Sequence, residues 1–250
     1  MADTLINERG SKIPILKNGS SLQLSAIKIN NCNYTLSNTC AFDSIFQILL
    51  AAAADMCHIF KYLENNSSIN IFFGLIINTI QKGVTQYTYK VRAQILLEIF
   101  ASTDTAEFKN LNCETNIGYM AGLLFKETPS FNEVSQCNNS CTPRHKKLPV
   151  IQIEDVKLID GNLTEIITRH LFLDDNPCFV ENCTGIEKNI VSDTGDIIIF
   201  DIFTIHPIPT THIIRNIPSS FINPINKTGY KLIGLVSYKN NKNKKLTKPD

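Results

Sequence analysis

Residues 38–47 read Asn-Thr-Cys-Ala-Phe-Asp-Ser-Ile-Phe-Gln and join a turn-rich stretch to the most apolar run of the chain. Residues 43–62 are apolar at most positions and rich in Ala and Leu, which predicts a buried helix that opens just after Cys40. A helix N-terminus stabilises a thiolate through its dipole, and its free N–H groups can hold the oxyanion of a tetrahedral intermediate. Cys40 is therefore a candidate nucleophile. On spacing alone, the alternative is a small buried hydrophobe.

These residues resemble the nucleophile box of the ubiquitin-specific proteases, a family of USP/UCH-type cysteine peptidases. That box reads approximately Gly-Asn-Thr-Cys-Tyr-Met/Leu-Asn-Ser-x-Leu-Gln. The positions that match it are Asn38, Thr39, Cys40, Ser44 and Gln47. The positions that depart from it are Ala41 for an aromatic residue, Asp43 for Asn and Phe46 for Leu. The resemblance implies a papain-like α+β cysteine peptidase that cleaves isopeptide or peptide bonds after the C-terminus of ubiquitin through an acyl-enzyme at Cys40.

A further departure concerns the oxyanion hole. The family commonly places a side-chain amide five residues before the cysteine, and here that position is Thr35. A hydroxyl at Thr35 can donate one hydrogen bond, or Asn33 or Asn38 can take over the role. We name Thr35 and Asn38 as the oxyanion candidates, because losing such a donor costs about 100-fold to 1,000-fold in rate.

Two close cysteine pairs follow, Cys137 with Cys141 and Cys178 with Cys183. Their inner spacings suit two knuckles that supply four thiolates to a tetrahedral zinc ion, and the alternative is four unrelated surface thiols. The resemblance agrees with the zinc hypothesis, because many ubiquitin-specific proteases carry two such pairs in a "fingers" lobe that grips the globular body of ubiquitin. It implies a structural zinc outside the chemistry. The remaining three cysteines are interpreted as structural: Cys32, Cys57 and Cys113.

The general base is the missing part. Residues 229–238 resemble the strand that leads into the family's histidine box, and residues 195–205 with Ile217-Pro218 resemble an earlier buried strand and turn. No Gly-His-Tyr follows before Asp250, so we expect a fold that is incomplete at the C-terminus and a peptidase that is weak or inactive as this chain stands. The five histidines are His58, His145, His170, His206 and His212. Of these, His206 and His212 are the candidates for a substitute base.

Two other functions stay open. The first is a non-catalytic ubiquitin-binding or scaffolding module that keeps the fold and the zinc lobe. The second is a small zinc-binding interaction domain without peptidase ancestry, which a strand or mid-helix position of Cys40 would favour. For the peptidase and for the ubiquitin-binding module, the expected partner is ubiquitin or a ubiquitin-like protein.

The chain is predicted to consist of a lead-in (1–29), one ubiquitin-specific protease-like domain (30–238) and a disordered basic tail (239–250). The helical N-terminal lobe contains further helices at 69–82 and 89–101. The β-rich C-terminal half has strands at 150–154, 196–203 and 230–237 and a short helix at 163–171.

Composition narrows the class further. Hydrophobic residues make up 43% of the 250-residue chain, and the net charge of +1 gives no electrostatic case for nucleic acid. The N-terminus lacks the pattern of a secretory signal, and the apolar run 45–54 is shorter than the roughly 20 residues that span a bilayer. We therefore expect a protein of the cytoplasm and/or nucleus with no membrane partner. In such a reducing compartment, its cysteines favour metal binding or catalysis over disulfides.

Overall fold

A computed structural model of the chain describes residues 4–6, 12–100, 108–154, 164–165, 168, 176–203 and 217–236. Within these residues, helices fill the first half and strands dominate the second, which agrees with the predicted α+β class. The helices are α1 (Cys40–Asp55), α2 (Cys57–Asn65), α3 (Ile71–Lys82), α4 (Gln86–Ile99) and α5 (Ile117–Leu124). The strands are β1 (Thr4–Ile6), β2 (Lys12–Pro14), β3 (Ile27–Ile29), β4 (Cys32–Ser37), β5 (Phe108–Asn112), β6 (Phe131–Cys137), β7 (Arg144–Leu148), β8 (Ile151–Glu154), β9 (Asn176–Pro177), β10 (Ile186–Thr194), β11 (Phe200–Phe203), β12 (Ser220–Ile222) and β13 (Gly229–Lys231).

The helix predicted over 43–62 is two helices, so that prediction is wrong in its continuity. The chain becomes extended at Met56 (φ −117°, ψ 108°), and the path of the chain bends by 119° between α1 and α2. The bend returns Ile59 and Leu63 of α2 to the main core, where both are buried. A straight continuation would carry this apolar stripe past the core, so burial outweighs helix propensity here.

The other helix ends follow local chemistry. The Asn70 side chain accepts a hydrogen bond from the backbone N–H of Phe72 at 3.1 Å and starts α3, while Gly83 ends it at φ 76°, a conformation that suits glycine. A capping box between Thr85 and Thr88 opens α4. The helices predicted at 69–82 and 89–101 are therefore confirmed, with shifted starts.

The main core lies between the helices and one face of the β3-β4-β5 sheet. Its centre is aromatic, with the rings of Phe42 and Phe72 5.2 Å apart and those of Phe73 and Phe125 5.4 Å apart, both edge to face. Each of these four rings is at most 1% exposed. Because Phe42 belongs to α1, the core fixes the helix that begins at Cys40.

The β-rich half has its own small core around Phe131, Ile151, Ile153 and Val191. A four-stranded antiparallel sheet in the order β7-β6-β10-β9 extends from it, and β8 pairs with β11 in parallel. The two outer connections of the sheet, β6 to β7 and β9 to β10, are hairpin-like turns at the same end, because the register pairs Cys137 with Glu187 and Pro177 with Ile186. The turns that carry the cysteine pairs are thus neighbours.

Four sequence predictions need correction or lie wholly or mostly outside the described residues. The strand predicted at 196–203 is limited to β11, because residues 196–199 lie in no strand. The strand predicted at 230–237 is limited to β13, because residues 232–236 lie in no strand. The strand at 150–154 is confirmed as β8. Most of the predicted helix 163–171 and the whole tail 239–250 lie outside the described residues.

In the described part of the chain, no single helix is long and apolar enough to cross a membrane, and α1 and α2 reach that length only as a bent pair.

Candidate functional site

Cys40 is the first residue of α1 and is exposed, whereas the next two residues of the helix are buried. Thr39 precedes it as the N-cap residue, but its side chain accepts no hydrogen bond from a backbone N–H of the first turn of the helix. The Thr39 side chain therefore occupies none of the first-turn N–H groups. An exposed thiol therefore stands at the positive end of a helix that the core holds in place.

The hydroxyl of Thr39 is used elsewhere. It donates to the carboxylate of Asp43 and accepts from the backbone N–H of Gly19 at 2.7 Å. The other carboxylate oxygen of Asp43 accepts from Nη1 of Arg92 at 2.9 Å, and that nitrogen also donates to the carbonyl of Lys17 at 2.8 Å. The network ties the start of α1 to α4 and to residues 17–19.

Arg92 is a residue that sequence reasoning missed. It is 0% exposed, and its Nε and Nη2 have no hydrogen-bond partner, so a single guanidinium nitrogen makes its polar contacts. Burial raises the pKa of Asp43, while the charge of Arg92 and the hydrogen bonds from Thr39 and Arg92 act against that rise. Asp43, a departure from the family's box, therefore serves as the buried counter-ion of Arg92.

Gln47, a matched residue of the box, fastens the same neighbouring segment. Its Nε2 donates to the carbonyl of Pro14 at 3.3 Å, and its Oε1 accepts from the backbone N–H of Leu16 at 3.4 Å. Leu16 is buried in the main core. Residues 14–19, part of the predicted lead-in, are thus bound to the start of α1 and its first turns by two side chains of the box, Thr39 and Gln47.

The two oxyanion candidates face β5. The Thr35 hydroxyl lies 3.4 Å from Oδ1 of Asn110 and 3.5 Å from the carbonyl of Lys109. The Asn38 amide donates to Oδ1 of Asn112 at 2.9 Å. Both donors are therefore engaged within the protein, and their role as oxyanion donors stays a prediction.

Among the described residues, no histidine forms a hydrogen bond with Cys40. His58 is an exposed residue of α2, and His145 is an exposed residue of β7. The remaining three, His170, His206 and His212, lie outside the described residues. The described structure therefore supplies an exposed thiol without an adjacent imidazole.

The two cysteine pairs come together as predicted. Cys137 ends β6, Cys141 lies in the following turn, and Cys178 and Cys183 lie in the turn between β9 and β10. All four sulfur atoms lie within 4.8 Å of one another, with 3.5 Å from Cys141 to Cys183 and 3.7 Å from Cys137 to Cys183. Tetrahedral zinc with Zn–S bonds of about 2.3 Å needs sulfurs about 3.8 Å apart. The four thiols could therefore hold a metal ion.

Backbone N–H groups already point at three of these sulfurs. Asn139 N–H donates to Cys137, Val180 N–H to Cys178 and Gly185 N–H to Cys183, each at 3.4 Å. A Cβ at Gly185 would lie 2.5 Å from the sulfur of Cys137, so only glycine fits there. These N–H groups suit thiolates, and sequence reasoning missed the requirement at Gly185.

Proximity makes the thiols differ in acidity. The hydrogen bond to Cys183 raises the pKa of Cys141 to about 12, with burial adding to the rise. The pKa of Cys183 falls to about 7, because the N–H of Gly185 and the thiol of Cys141 stabilise its thiolate. Cys183 therefore ionises more readily than Cys141, and a bound cation would deprotonate coordinating thiols.

A second contact joins the two cysteine turns. The carboxylate of Glu187 pairs with the guanidinium of Arg144 and accepts from the backbone N–H of Phe179 at 3.1 Å. Arg144 lies 4.5 Å above the ring of Phe179. Phe179, next to Cys178, is therefore fixed to β7 although its side chain is 77% exposed.

Comparisons with known proteins give a distant likeness. No protein-family model matches the chain, and no curated protein matches it. Among solved structures, it is similar to the Saccharomyces cerevisiae PAN2 pseudoubiquitin-hydrolase-RNase module, with a TM-score of 0.36 and 12% identity over 74% of this chain. The match spans 39% of that protein's length. This likeness is too distant to assign a family or an activity.

Proposed function

We propose that this chain is a ubiquitin-specific protease-like domain of papain-like architecture whose peptidase activity is weak or absent as the chain stands. The observation that carries the proposal is the position of Cys40, exposed at the first residue of α1 within the matched box. Cys40 thus lies neither in a strand nor in the middle of a helix, the two positions that would favour a zinc module without peptidase ancestry.

The cysteine cluster supports the same proposal. Cys137, Cys141, Cys178 and Cys183 lie after the nucleophile helix in chain order, at the ends of two neighbouring hairpins. They would hold a structural zinc ion that keeps the hairpins together, and the extended sheet would contact the body of ubiquitin or a ubiquitin-like protein. Zinc there would supply rigidity and no chemistry, because four thiolates leave no open coordination position.

A non-catalytic ubiquitin-binding or scaffolding module is the second candidate. It is favoured by the engagement of Thr35 and Asn38 with β5 and by the lack of a histidine beside Cys40 among the described residues. A catalytic triad without its base loses most of its joint effect, so both candidates predict little turnover. For either one we propose a location in the cytoplasm and/or nucleus and no nucleic-acid partner.

Ubiquitin with a C-terminal vinyl methyl ester tests whether the site is an active peptidase. The zinc-loaded protein and its Cys40→Ser variant are incubated with the probe, and adducts are mapped by mass spectrometry. We expect slow or no labelling of Cys40, because none of the histidines that the structure describes is placed to activate its thiol. Rapid labelling that Cys40→Ser abolishes would contradict the proposed weakness and identify an active peptidase.

Binding is measured separately by titrating isotope-labelled ubiquitin with both proteins and following amide shifts. We expect equal binding by the wild type and Cys40→Ser, since the thiol contributes little to a protein interface of standard size. Absence of binding and of labelling with ubiquitin and ubiquitin-like proteins would overturn the proposal.

A further inference from the structure

The hydrogen bond between Asn38 and Asn112 lies at the entry to α1, two residues before Cys40. We propose that Asn112 is a positioning residue that withholds the Asn38 amide from a carbonyl group attacked by Cys40. This inference rests on the proposed peptidase ancestry of the site. It assigns Asn112 a role in setting the resting reactivity of that site.

The orientation of Asn112 follows from its partners. Its Oδ1 accepts from the backbone N–H of Glu114 at 3.1 Å and from Nδ2 of Asn38 at 2.9 Å. A backbone N–H can only donate, so the oxygen of Asn112 must face Glu114. Asn38 must then present its NH2 group to the same oxygen. One of the two N–H groups of this side-chain amide is thereby engaged, and the amide is held at the end of β5.

The sheet fixes Asn112 in this position. β4 and β5 are parallel, with Ser37 beside Asn112, and the N–H of Cys113 donates to the carbonyl of Ser37 at 2.9 Å. Asn38 has a φ of 56°, a left-handed conformation that turns the chain between β4 and α1. Both asparagines are exposed, so water can replace the contact when it opens.

Acyl transfer from p-nitrophenyl acetate tests this role without ubiquitin and without a general base. The Cys40 thiolate attacks the acetyl carbon, an S–C bond forms, and the bond to the aryl oxygen breaks. p-Nitrophenolate leaves with the electron pair and needs no proton. The intermediate carries an oxyanion that a free amide can stabilise. Alkylation by iodoacetamide passes through no oxyanion and reports only the access and nucleophilicity of the thiol.

The readout is the ratio of the acetylation rate to the alkylation rate at Cys40, both mapped by mass spectrometry. In Asn112→Ala we expect the ratio to rise about tenfold, a fraction of the roughly 100-fold to 1,000-fold that a complete oxyanion donor supplies. Asn112→Asp keeps the acceptor oxygens and should keep the wild-type ratio. A general loosening of the turn would change both rates together and leave the ratio unmoved.

A double variant tests whether the effect passes through Asn38. Glycine tolerates the left-handed conformation, so Asn38→Gly removes the amide with little backbone strain. The ratio in Asn38→Gly/Asn112→Ala should equal that in Asn38→Gly alone. An unchanged ratio in Asn112→Ala, or a rise that persists in the double variant, would overturn the role of Asn112. Failure of the proposed function would appear instead as absent ubiquitin binding, which this assay does not involve.

Discussion

The start of α1 and the cysteine turns differ in how their polar groups are used. Around Cys40, the side chains of Thr39, Asp43, Gln47 and Asn38 all bond to other parts of the protein. At the cysteine turns, four sulfurs face one another, and backbone N–H groups point at three of them. The first region uses its polar groups to hold the fold, whereas the second gathers four thiols in an arrangement that could hold a metal ion.

This difference shows that residues of a catalytic motif can hold the fold together whether or not they take part in catalysis. The matched box residues fasten residues 14–19 to α1, which is reason enough for a fold to need them. The four thiols have no comparable packing role, since three of them are only partly buried. Of the two regions, the cysteine turns are therefore the better candidate for a ligand site of the present chain.

Removing the metal should give the largest effect and would sharpen this contrast. Structural zinc contributes roughly 10–16 kcal/mol in small zinc domains, and a serine cannot replace a thiolate ligand. We expect Cys141→Ser to lose zinc to a chelator that wild type withstands, and residues 137–141 and 178–183 to exchange amide hydrogens faster. Cys57→Ser, at an exposed cysteine outside the cluster, is the control. Equal zinc retention by Cys141→Ser and Cys57→Ser would contradict the assignment of the cysteine turns as the ligand site.

Breaking the ion pair under α1 should come next. Arg92→Met leaves the carboxylate of Asp43 without its charged partner, which costs about 3–5 kcal/mol at a buried site. The measurement is the free energy of unfolding in urea. Asp43→Asn/Arg92→Met removes both charges and should recover part of the loss. A double variant no more stable than Arg92→Met would argue that the pair does not hold the turn by charge.

A smaller effect is expected at Gly185. Its replacement by Ala forces a methyl group against the sulfur of Cys137, so we expect zinc affinity to fall by about tenfold, as for changes beside metal ligands. Competition with a chromophoric chelator measures it. Gly229→Ala is the matched control, because nothing lies within 4 Å of a Cβ there. A loss of affinity in both variants would point to a general change in stability.

The smallest effect concerns pH at the same turns. The N–H of Phe179 and the guanidinium of Arg144 lower the pKa of Glu187. A lowered carboxyl pKa means that the contact is fully present above the ordinary value of about 4.3 and is lost as pH falls through the lower folded value. The amide proton of Phe179 should therefore titrate below that ordinary value and should not titrate in Glu187→Gln. Titration at the ordinary value would show that the contact is absent in solution.

Local patterns predicted much of the helical half and the cysteine site. The helices α3 and α4 are predicted by the spacing of their apolar residues, which is a local property of the sequence. The cysteine pairs are likewise recognised from the short spacing within each pair. The break between α1 and α2 at Met56 has no local sequence pattern, because no Pro or Gly lies there. We attribute it to the location of the core, which the sequence pattern does not give. The short length of β13 was also not predictable from local patterns, since strand length depends on pairing with another strand, here β12.

The sequence by itself determined that an apolar helix begins at Cys40 and that two cysteine pairs are available for a metal. Only the tertiary structure decided which polar groups remain free for chemistry. Asn38 meets Asn112 across 74 positions of the chain, and Asp43 meets Arg92 across 49. Hydrogen-bond partners at such separations are set by packing, and a donor's availability depends on its partner as much as on its own residue type.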